Sequence, residues 1–479
     1  MNLKKTKIVA TIGPASESEA MLEGLVKAGM NVCRLNFSHG THEEHAIQVK
    51  NIHAVAEKLG VQVAILQDLS GPKIRIGDFY QERVMLKKGS IFTLTTKQCV
   101  GDETKVFVNY KALPQEIKKG DSILLDDGKK ALQVLEIKGE EIKCRVIVGG
   151  ETKGRRGVNL PGVSLKISCL TPKDKKDIVF GLEHHVDFMA LSFVRRASDV
   201  RELRTILRKN KSAIKIIAKI ETEEAIENID AIIAEADGLM VARGDLAVEV
   251  PAEEVPILQK MIIEKCNRAG KPVIVATQMM ESMIKSPVPT RAEVSDVANS
   301  ILDGADAVML SEESALGEYP VLAVAMMSKV AGMVEKNYPY RQALYGDIFN
   351  AENSADNGHK GIVDAVTFAA VSTAAAVGAV AIIALTESGF TARMISRFRP
   401  EQPIIVMSSR RQVIEELTLS FGCYPIRVEK LLAVDQVMKE VRSFVLLHKF
   451  AKKGDKVVIA AGIPFGHMGG TNMLLVEVI

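Results

Sequence analysis

The sequence predicts an α/β protein: a (β/α)8 barrel, a small β-barrel lid module inserted into it, and a C-terminal doubly wound α/β domain. Three observations carry that expectation. Short apolar runs rich in Val, Ile, Leu and Met recur along the chain, each followed by a helical stretch. Their spacing breaks once, over residues 72–170, where the period changes to two. Beyond residue 340 the pattern starts afresh. The expected domains are therefore 1–71 with 171–340, 72–170, and 341–479. A length of 479 residues fits about three domains.

The barrel runs are Lys7–Thr11, Asn31–Asn36, Val63–Asp68, Phe188–Phe193, Ile214–Ile220, Gly238–Ala242, Pro272–Thr277 and Ala307–Leu310. Unbroken apolarity marks strands covered on both faces, as in a parallel sheet. Thr290 and Glu293 are spaced as a capping box opening a helix from Arg291 to about Ile301. In the insert, Ile91-Phe92-Thr93-Leu94 and Cys144-Arg145-Val146-Ile147-Val148 read as short strands among turn residues. The insert holds 19 basic and 12 acidic residues, a net of +7, which leaves the rest at −4. That contrast fits a lid closing over an anion, or simply a solvated basic surface. After a polar linker at Asp347–Lys360, strands are expected near Ala379–Leu385, Pro403–Met407, Cys423–Val428, Lys456–Ala461 and Met473–Val478.

Composition narrows the function. Hydrophobic residues make up 47% and charged residues 25%, against wholesale disorder. A net charge of +3 argues against a nucleic-acid wrap or a polybasic membrane binder. Six cysteines, none in CxxC spacing, read as reduced thiols rather than a disulfide framework or zinc site. The N-terminus lacks an apolar targeting region. Ala365–Leu385 is long and nearly apolar, but its alanines and Gly378 predict a buried helix followed by a strand, not a membrane span. A cytoplasmic protein without nucleic-acid or membrane partners is expected.

A barrel's active site lies at the C-terminal ends of its strands. Those ends offer Arg34, Asn36, Ser38 and His39, then Asp68, Lys219 and Glu221, Arg243 and Asp245, Thr277 and Gln278, and Ser311 and Glu312. A salt-bridged rim would use the same residue types. Glu221 and Asp245, however, are two hard oxygen ligands on neighbouring strands, the usual protein share of a Mg²⁺ site. Arg34 and Lys219 add cations for a phosphoryl group. Phosphoryl transfer is mostly positioning and charge neutralisation, so this set suits it. Ala242-Arg243-Gly244-Asp245-Leu246 reads as a strand leaving into a short helix, whose free N–H groups could hold a carboxylate. No P-loop and no protein-kinase motif set is present.

These residues sit in stretches that resemble the pyruvate kinase family from end to end. The matching stretches include Thr11-Ile12-Gly13-Pro14-Ala15-Ser16, Cys33-Arg34-Leu35-Asn36-Phe37-Ser38-His39-Gly40, Asp68 to Arg75, and Gly157-Val158-Asn159-Leu160-Pro161-Gly162. Ile217-Ala218-Lys219-Ile220-Glu221, Met240 to Leu246, Ala276 to Ser282, Pro289 to Asn299, and Met309 to Gly317 continue the match. The resemblance implies transfer from phosphoenolpyruvate to ADP, giving pyruvate and ATP. It implies Mg²⁺, with Mn²⁺ as a substitute, on Glu221 and Asp245. Arg34 and Lys219 would grip the phosphoryl group, and Arg243 would count with the catalytic residues. The N–H groups of Gly244 and Asp245, with Thr277, would hold the carboxylate. Thr277 would also help protonate the enolate through water. Pro14, Asn36, His39, Arg75 and Arg156 match nucleotide-side positions. A homotetramer is the family's common assembly.

Three finer expectations follow. An apolar residue should be tolerated structurally at position 219. Thr386-Glu387-Ser388-Gly389-Phe390-Thr391, between a strand and a helix, resembles the family's effector loop. Its hydroxyls and N–H groups at Thr386, Ser388, Gly389 and Thr391 would cradle the phosphate of a sugar phosphate or AMP. Ile463-Pro464-Phe465-Gly466 offers no cation for a second phosphate. Many family members need K⁺ and carry Gly-Pro-Glu after the third strand, whereas this chain reads Gly71-Pro72-Lys73. Asn36, Ser38, Asp68 and the Leu69 carbonyl would otherwise hold K⁺, and the Lys73 ammonium is expected to take its place, the alternative being a lysine that points to solvent at the lid hinge. The competing readings are a metal-dependent pyruvate-enolate lyase or aldolase on the same barrel, and a non-catalytic metabolite sensor.

Overall fold

The computed structural model describes residues 4–340, 358–429, 434–464 and 470–479. Eight parallel strands close into a barrel in chain order: Lys7–Ile12, Val32–Asn36, Ala64–Asp68, Phe188–Val194, Lys215–Ile220, Gly238–Ala242, Val273–Ala276 and Ala307–Leu310. Each expected strand is present, with no end shifted by more than one residue. Two shifts have local causes. Pro272 has no N–H for the ladder and Thr277 turns to φ 71°, so the seventh strand keeps only four residues. Asn31 stays outside the second strand, where its Oδ1 accepts the Ile8 N–H at 3.0 Å.

The barrel is filled, not hollow. Val9, Val32, Leu66, Phe188, Ile217, Met240 and Ile274 pack inside it, and a second apolar layer lies between strands and helices. Leu419, from the C-terminal domain, joins the inner cluster and so helps plug the barrel floor. Thr41, Thr171 and the predicted Thr290 open their helices with capping boxes. Losing such a cap costs about 1 kcal/mol.

The insert folds around its own core, which includes Phe92, Leu94, Val106, Ile123, Leu132 and Ile142. Its strand Glu141–Val148 alternates buried and exposed along its first six residues, the period of two read from the sequence. The ladder, however, is a six-stranded sheet plus the two-stranded ribbon Arg83–Leu86 with Gly150–Lys153. Isolated bridges such as Arg75 to Gly157 and Ile76 to Val108 tie the remaining segments on.

The C-terminal domain is a five-stranded sheet ordered Cys423–Arg427, Ile404–Ser408, Ala381–Leu385, Lys456–Ala461 and Met473–Val478. The last strand runs antiparallel to its neighbour, a departure from a wholly parallel sheet. The long apolar stretch resolves into the helix Gly358–Val377 and the strand Ala381–Leu385. Among the described residues no helix is long and apolar enough to cross a membrane. The expected linker lies outside the described residues up to 357. Arg399 and Asp306 form a buried ion pair at 2.8 Å across the junction with the barrel, and the Phe421 N–H donates to Asp306 at 2.9 Å.

Candidate active site

Four charged groups meet at the mouth of the barrel. Arg34, on the second strand, donates from Nε to Asp68 Oδ2 at 2.7 Å and from a terminal nitrogen to Thr11 Oγ1 at 2.8 Å. Lys219, on the fifth strand, reaches Glu221 Oε1 at 2.8 Å and Asp68 Oδ1 at 3.3 Å, and donates to Ser192 Oγ at 2.8 Å. All four are buried or nearly so. Two cations and two carboxylates leave the cluster neutral.

The electrostatics follow from that packing. Burial pulls the Lys219 ammonium down, but Asp68 and Glu221 outweigh it and hold its pKa above the ordinary lysine value. Burial raises the Asp68 carboxyl, yet Lys219 and Arg34 win and hold it below its usual range. Glu221 is pushed up by burial and by Asp245, against the pull of Lys219. A buried carboxylate beside a second carboxylate fits a divalent cation. Among the described residues no group of three or more metal-ligating side chains forms, so most of a metal's ligands would be substrate and water oxygens.

This network corrects the expectation for position 219. Lys219 is the shared partner of two buried carboxylates, so an apolar residue there would strand Glu221 without a cation.

The sixth strand runs into the short helix Arg243–Glu249, as its sequence predicts, with Asp245 in the first turn. The Gly244 N–H donates to Thr277 Oγ1 at 2.7 Å, and that hydroxyl donates to the Ala276 carbonyl at 2.6 Å. Thr277 and Gln278 both take positive φ, 71° and 54°, a strained turn for residues with side chains. Arg243 does not join the cation cluster. Its guanidinium forks onto Asp296, with both contacts at 2.7 Å, and donates to the Thr277 carbonyl at 2.8 Å. These contacts brace the Thr277 turn.

The nucleotide-side positions are spread over two bodies. Pro14, Ser38 and His39 are exposed on the barrel rim, and Asn36 Oδ1 accepts the Ser38 N–H at 3.1 Å. The turn carrying Pro14 hugs the eighth strand's helix: a Cβ on Gly13 would sit 2.8 Å from the Ala315 carbonyl oxygen. Arg75 and Arg156 lie exposed on the insert, Arg75 donating to the Arg155 carbonyl at 3.0 Å and Arg156 lying 3.4 Å from Asp126. A cavity of about 400 Å³ separates insert from barrel, lined in part by Lys73, Asn159, Phe193, Asp245 and Glu249.

Lys73 is exposed, with its side chain running beside Gly157 of the insert. Asp68 is already paired with Arg34 and Lys219, and the Leu69 carbonyl accepts the Ser192 hydroxyl at 2.7 Å. In this arrangement Lys73 lies on the lid side, its Cε beside Gly157.

In the C-terminal domain, Gly389 turns at φ 73° and the helix Phe390–Ser396 follows. Thr386 Oγ1 accepts the Ser388 N–H and Ser388 Oγ accepts the Phe390 N–H, both at 3.4 Å. Thr391 shares a 2.7 Å hydrogen bond with the buried Thr471. Phe465 and Gly466 lie outside the described residues.

Sequence reasoning missed Thr11, Ser192 and Asp296. Thr11 and Ser192 sit on the first and fourth strands, from which no site residue was drawn; a hydroxyl near the end of an apolar strand was the available signal.

Comparison with known proteins agrees with this geometry. The family description "Pyruvate kinase, barrel domain" matches residues 3–324, and "Pyruvate kinase, alpha/beta domain" matches residues 364–477. A pyruvate kinase of Clostridium acetobutylicum is 44% identical over 479 residues, covering all of both chains. One from Geobacillus stearothermophilus is 46% identical, covering 99% of this chain and 80% of its own. The crystal structure of a pyruvate kinase from Cryptosporidium parvum superposes with a TM-score of 0.93 at 38% identity, covering 99% of this chain and 96% of that one. The lyase alternative finds no support among these relatives. With both domains matched and one relative aligned over its full length, the chain belongs to the pyruvate kinase family.

Proposed function

We propose that this chain transfers the phosphoryl group of phosphoenolpyruvate to ADP, giving pyruvate and ATP, with Arg34 and Lys219 as the cations on that group. The observation that carries the assignment is the buried pairing of both with Asp68, which holds two positive charges at one point of the barrel mouth. In a site of low dielectric such charges act strongly on a developing anion.

The family works with a divalent cation, and we take it to be Mg²⁺, with Mn²⁺ as a substitute, held by Glu221 and Asp245. When bound, it supplies charge neutralisation to substrate oxygens. The substrate carboxylate would displace the Thr277 hydroxyl from the Gly244 N–H and use the neighbouring Asp245 N–H. Arg243 keeps the Thr277 turn in place while this happens. Once the phosphoryl group has left, the enolate carbon takes a proton from water, ordered by Thr277. A threonine hydroxyl is too weak an acid to act alone.

ADP would lie between barrel and insert, against Pro14, Asn36 and His39 on one side and Arg75 and Arg156 on the other. The basic insert then acts as a lid over the phosphates. Lys73 rides on the lid's first connection, and closure is the movement that would bring its ammonium toward Asn36, Ser38, Asp68 and Leu69. On this reading the enzyme does not require K⁺. A sugar phosphate or AMP at Thr386, Ser388, Gly389 and Thr391 would activate it. A homotetramer in the cytoplasm is the expected setting, and all six cysteines are free thiols.

The test is a coupled assay. Pyruvate should form from phosphoenolpyruvate only with both ADP and Mg²⁺ present, with ATP in equal amount. Pyruvate release without ADP would overturn the assignment.

A further inference from the structure

We propose that a bulge at Ser192–Phe193 in the fourth barrel strand aims both Lys219 and Glu221, with Ser192 and the Phe193 N–H as positioning groups. The inference rests on the roles given above to Lys219 and Glu221. Pairing of the fourth strand with the fifth runs through Leu191 opposite Ala218 and resumes at Val194 opposite Ile220. Three steps on one strand thus face two on the other, so one residue is extra. Bulges of this kind re-aim side chains beside active sites. Phe193 takes φ 54°, a left-handed conformation unfavourable for a residue with a side chain.

The extra residue sends two groups to the functional end of the fifth strand. Ser192 Oγ accepts from Lys219 Nζ at 2.8 Å, while its own proton goes to the Leu69 carbonyl at 2.7 Å. The Phe193 N–H donates to Glu221 Oε2 at 2.7 Å. An ammonium has three donors. Those of Lys219 meet Ser192, Glu221 and Asp68, so removing the serine hydroxyl leaves Nζ free to slide between two carboxylates. Glu221 is likewise held by one oxygen on Lys219 and one on the Phe193 N–H.

Packing holds the strained bulge in place. Gly71, where the chain leaves for the insert, lies so close that a Cβ would stand 2.9 Å from the Phe193 ring and 3.1 Å from the Ser192 Cβ. Where the chain returns, the Cys169 thiol donates to the Phe193 carbonyl at 2.8 Å. Both connections of the insert therefore rest on the bulge, the first on both of its residues and the second on Phe193.

The experiment compares Ser192→Ala, Ser192→Thr and Phe193→Gly with the wild-type enzyme, with Lys219→Met run alongside. For Ser192→Ala, kcat should fall about tenfold to a hundredfold, with KM for phosphoenolpyruvate within about threefold and Mn²⁺ binding, read by EPR of the free ion, within about twofold. Ser192→Thr, which restores the hydroxyl, should recover most of kcat. Phe193→Gly keeps the N–H and the positive φ, so Mn²⁺ affinity should hold within about threefold. A wild-type kcat in Ser192→Ala, equal losses in the Ala and Thr variants, or Mn²⁺ binding more than about tenfold weaker in Phe193→Gly would each overturn the proposal. If Ser192→Ala is insoluble, Ser192→Cys, similar in size with a poorer acceptor, replaces it under the same thresholds. An active Lys219→Met would instead overturn the site assignment itself. An inactive Lys219→Met beside a fully active Ser192→Ala overturns only the positioning role.

Discussion

Lys219 serves two ends at once: it is the cation proposed for the phosphoryl group and the partner of two buried carboxylates. Lys219→Met should therefore cost about 10²–10³ in kcat, as loss of a preorganised electrostatic group does. It should also destabilise the fold by about 3 kcal/mol, because Glu221 is left buried without a cation. Saturating Mg²⁺ should restore part of the lost melting temperature, a result that thermal melts with and without metal would check. Glu221→Gln and Asp245→Asn each remove one hard ligand. Both should raise the half-saturating Mg²⁺ concentration about tenfold or more and lower turnover. Metal titrations matching wild type in both variants would place the cation elsewhere. Arg34, Lys219 and Glu221 could be picked from the sequence because charges at the ends of apolar strands stand out. Ser192 offered only a hydroxyl near the end of an apolar strand, and the bulge breaks the period of two that assigns residues to faces.

The insert and the effector loop each carry a test of their own. Lys73 sits at the lid's first connection. Lys73→Glu should make activity depend on K⁺, while the wild-type enzyme should turn over in K⁺-free buffer. Two unit charges at 4 Å interact by roughly 4 kcal/mol at an effective dielectric near 20, enough to decide which cation occupies the position. A wild-type enzyme silent without K⁺ would overturn the reading. In the C-terminal domain, Ser388→Glu should abolish activation by sugar phosphates or AMP at sub-saturating phosphoenolpyruvate, through like-charge repulsion of the phosphate. Assays with and without effector check this, and activation that survives the change would place the site elsewhere. The loop was legible as a strand–turn–helix with hydroxyls. Its tie to Thr471 was not, because that partner is 80 residues away along the chain.

At the scale of the whole molecule, the C-terminal domain is built into the barrel floor. Leu419 enters the inner core, Arg399 pairs with Asp306, and Lys7 Nζ donates to the Cys423 carbonyl at 2.6 Å. Beside this contact Asp187 is held well above its usual range, first by burial and then by the nearby Glu415. Its Oδ2 accepts the Ile65 N–H at 2.7 Å. A carboxyl raised in the folded state keeps a proton that the unfolded chain has lost. Its contribution to stability is therefore present at acid pH and fades as pH rises from the ordinary aspartate value through the raised one. Asp187→Asn, which can still accept the Ile65 N–H, should flatten that dependence and raise the melting temperature at pH 8 relative to wild type. Parallel melts at pH 5 and pH 8 check this, and an unchanged pH slope would refute it.

What the sequence by itself determined is local and periodic. Unbroken apolar runs placed the eight barrel strands to within one residue, and the change to a period of two marked the insert. Charges at strand ends supplied the cations and both carboxylates. What only the tertiary structure decided depends on groups far apart in the chain. Arg243 braces the Thr277 turn because Asp296, on the helix after the next strand, claims its guanidinium. Lys73 runs beside Gly157, a residue of the far end of the insert. The Ser192–Phe193 bulge carries a strained residue that no local propensity would favour, and the insert's two connections pack against it. Strand propensity and hydrophobic period are sums over neighbours in sequence. A hydrogen bond or ion pair is decided by which partner reaches the charge first in space, and that is set only when the barrel closes.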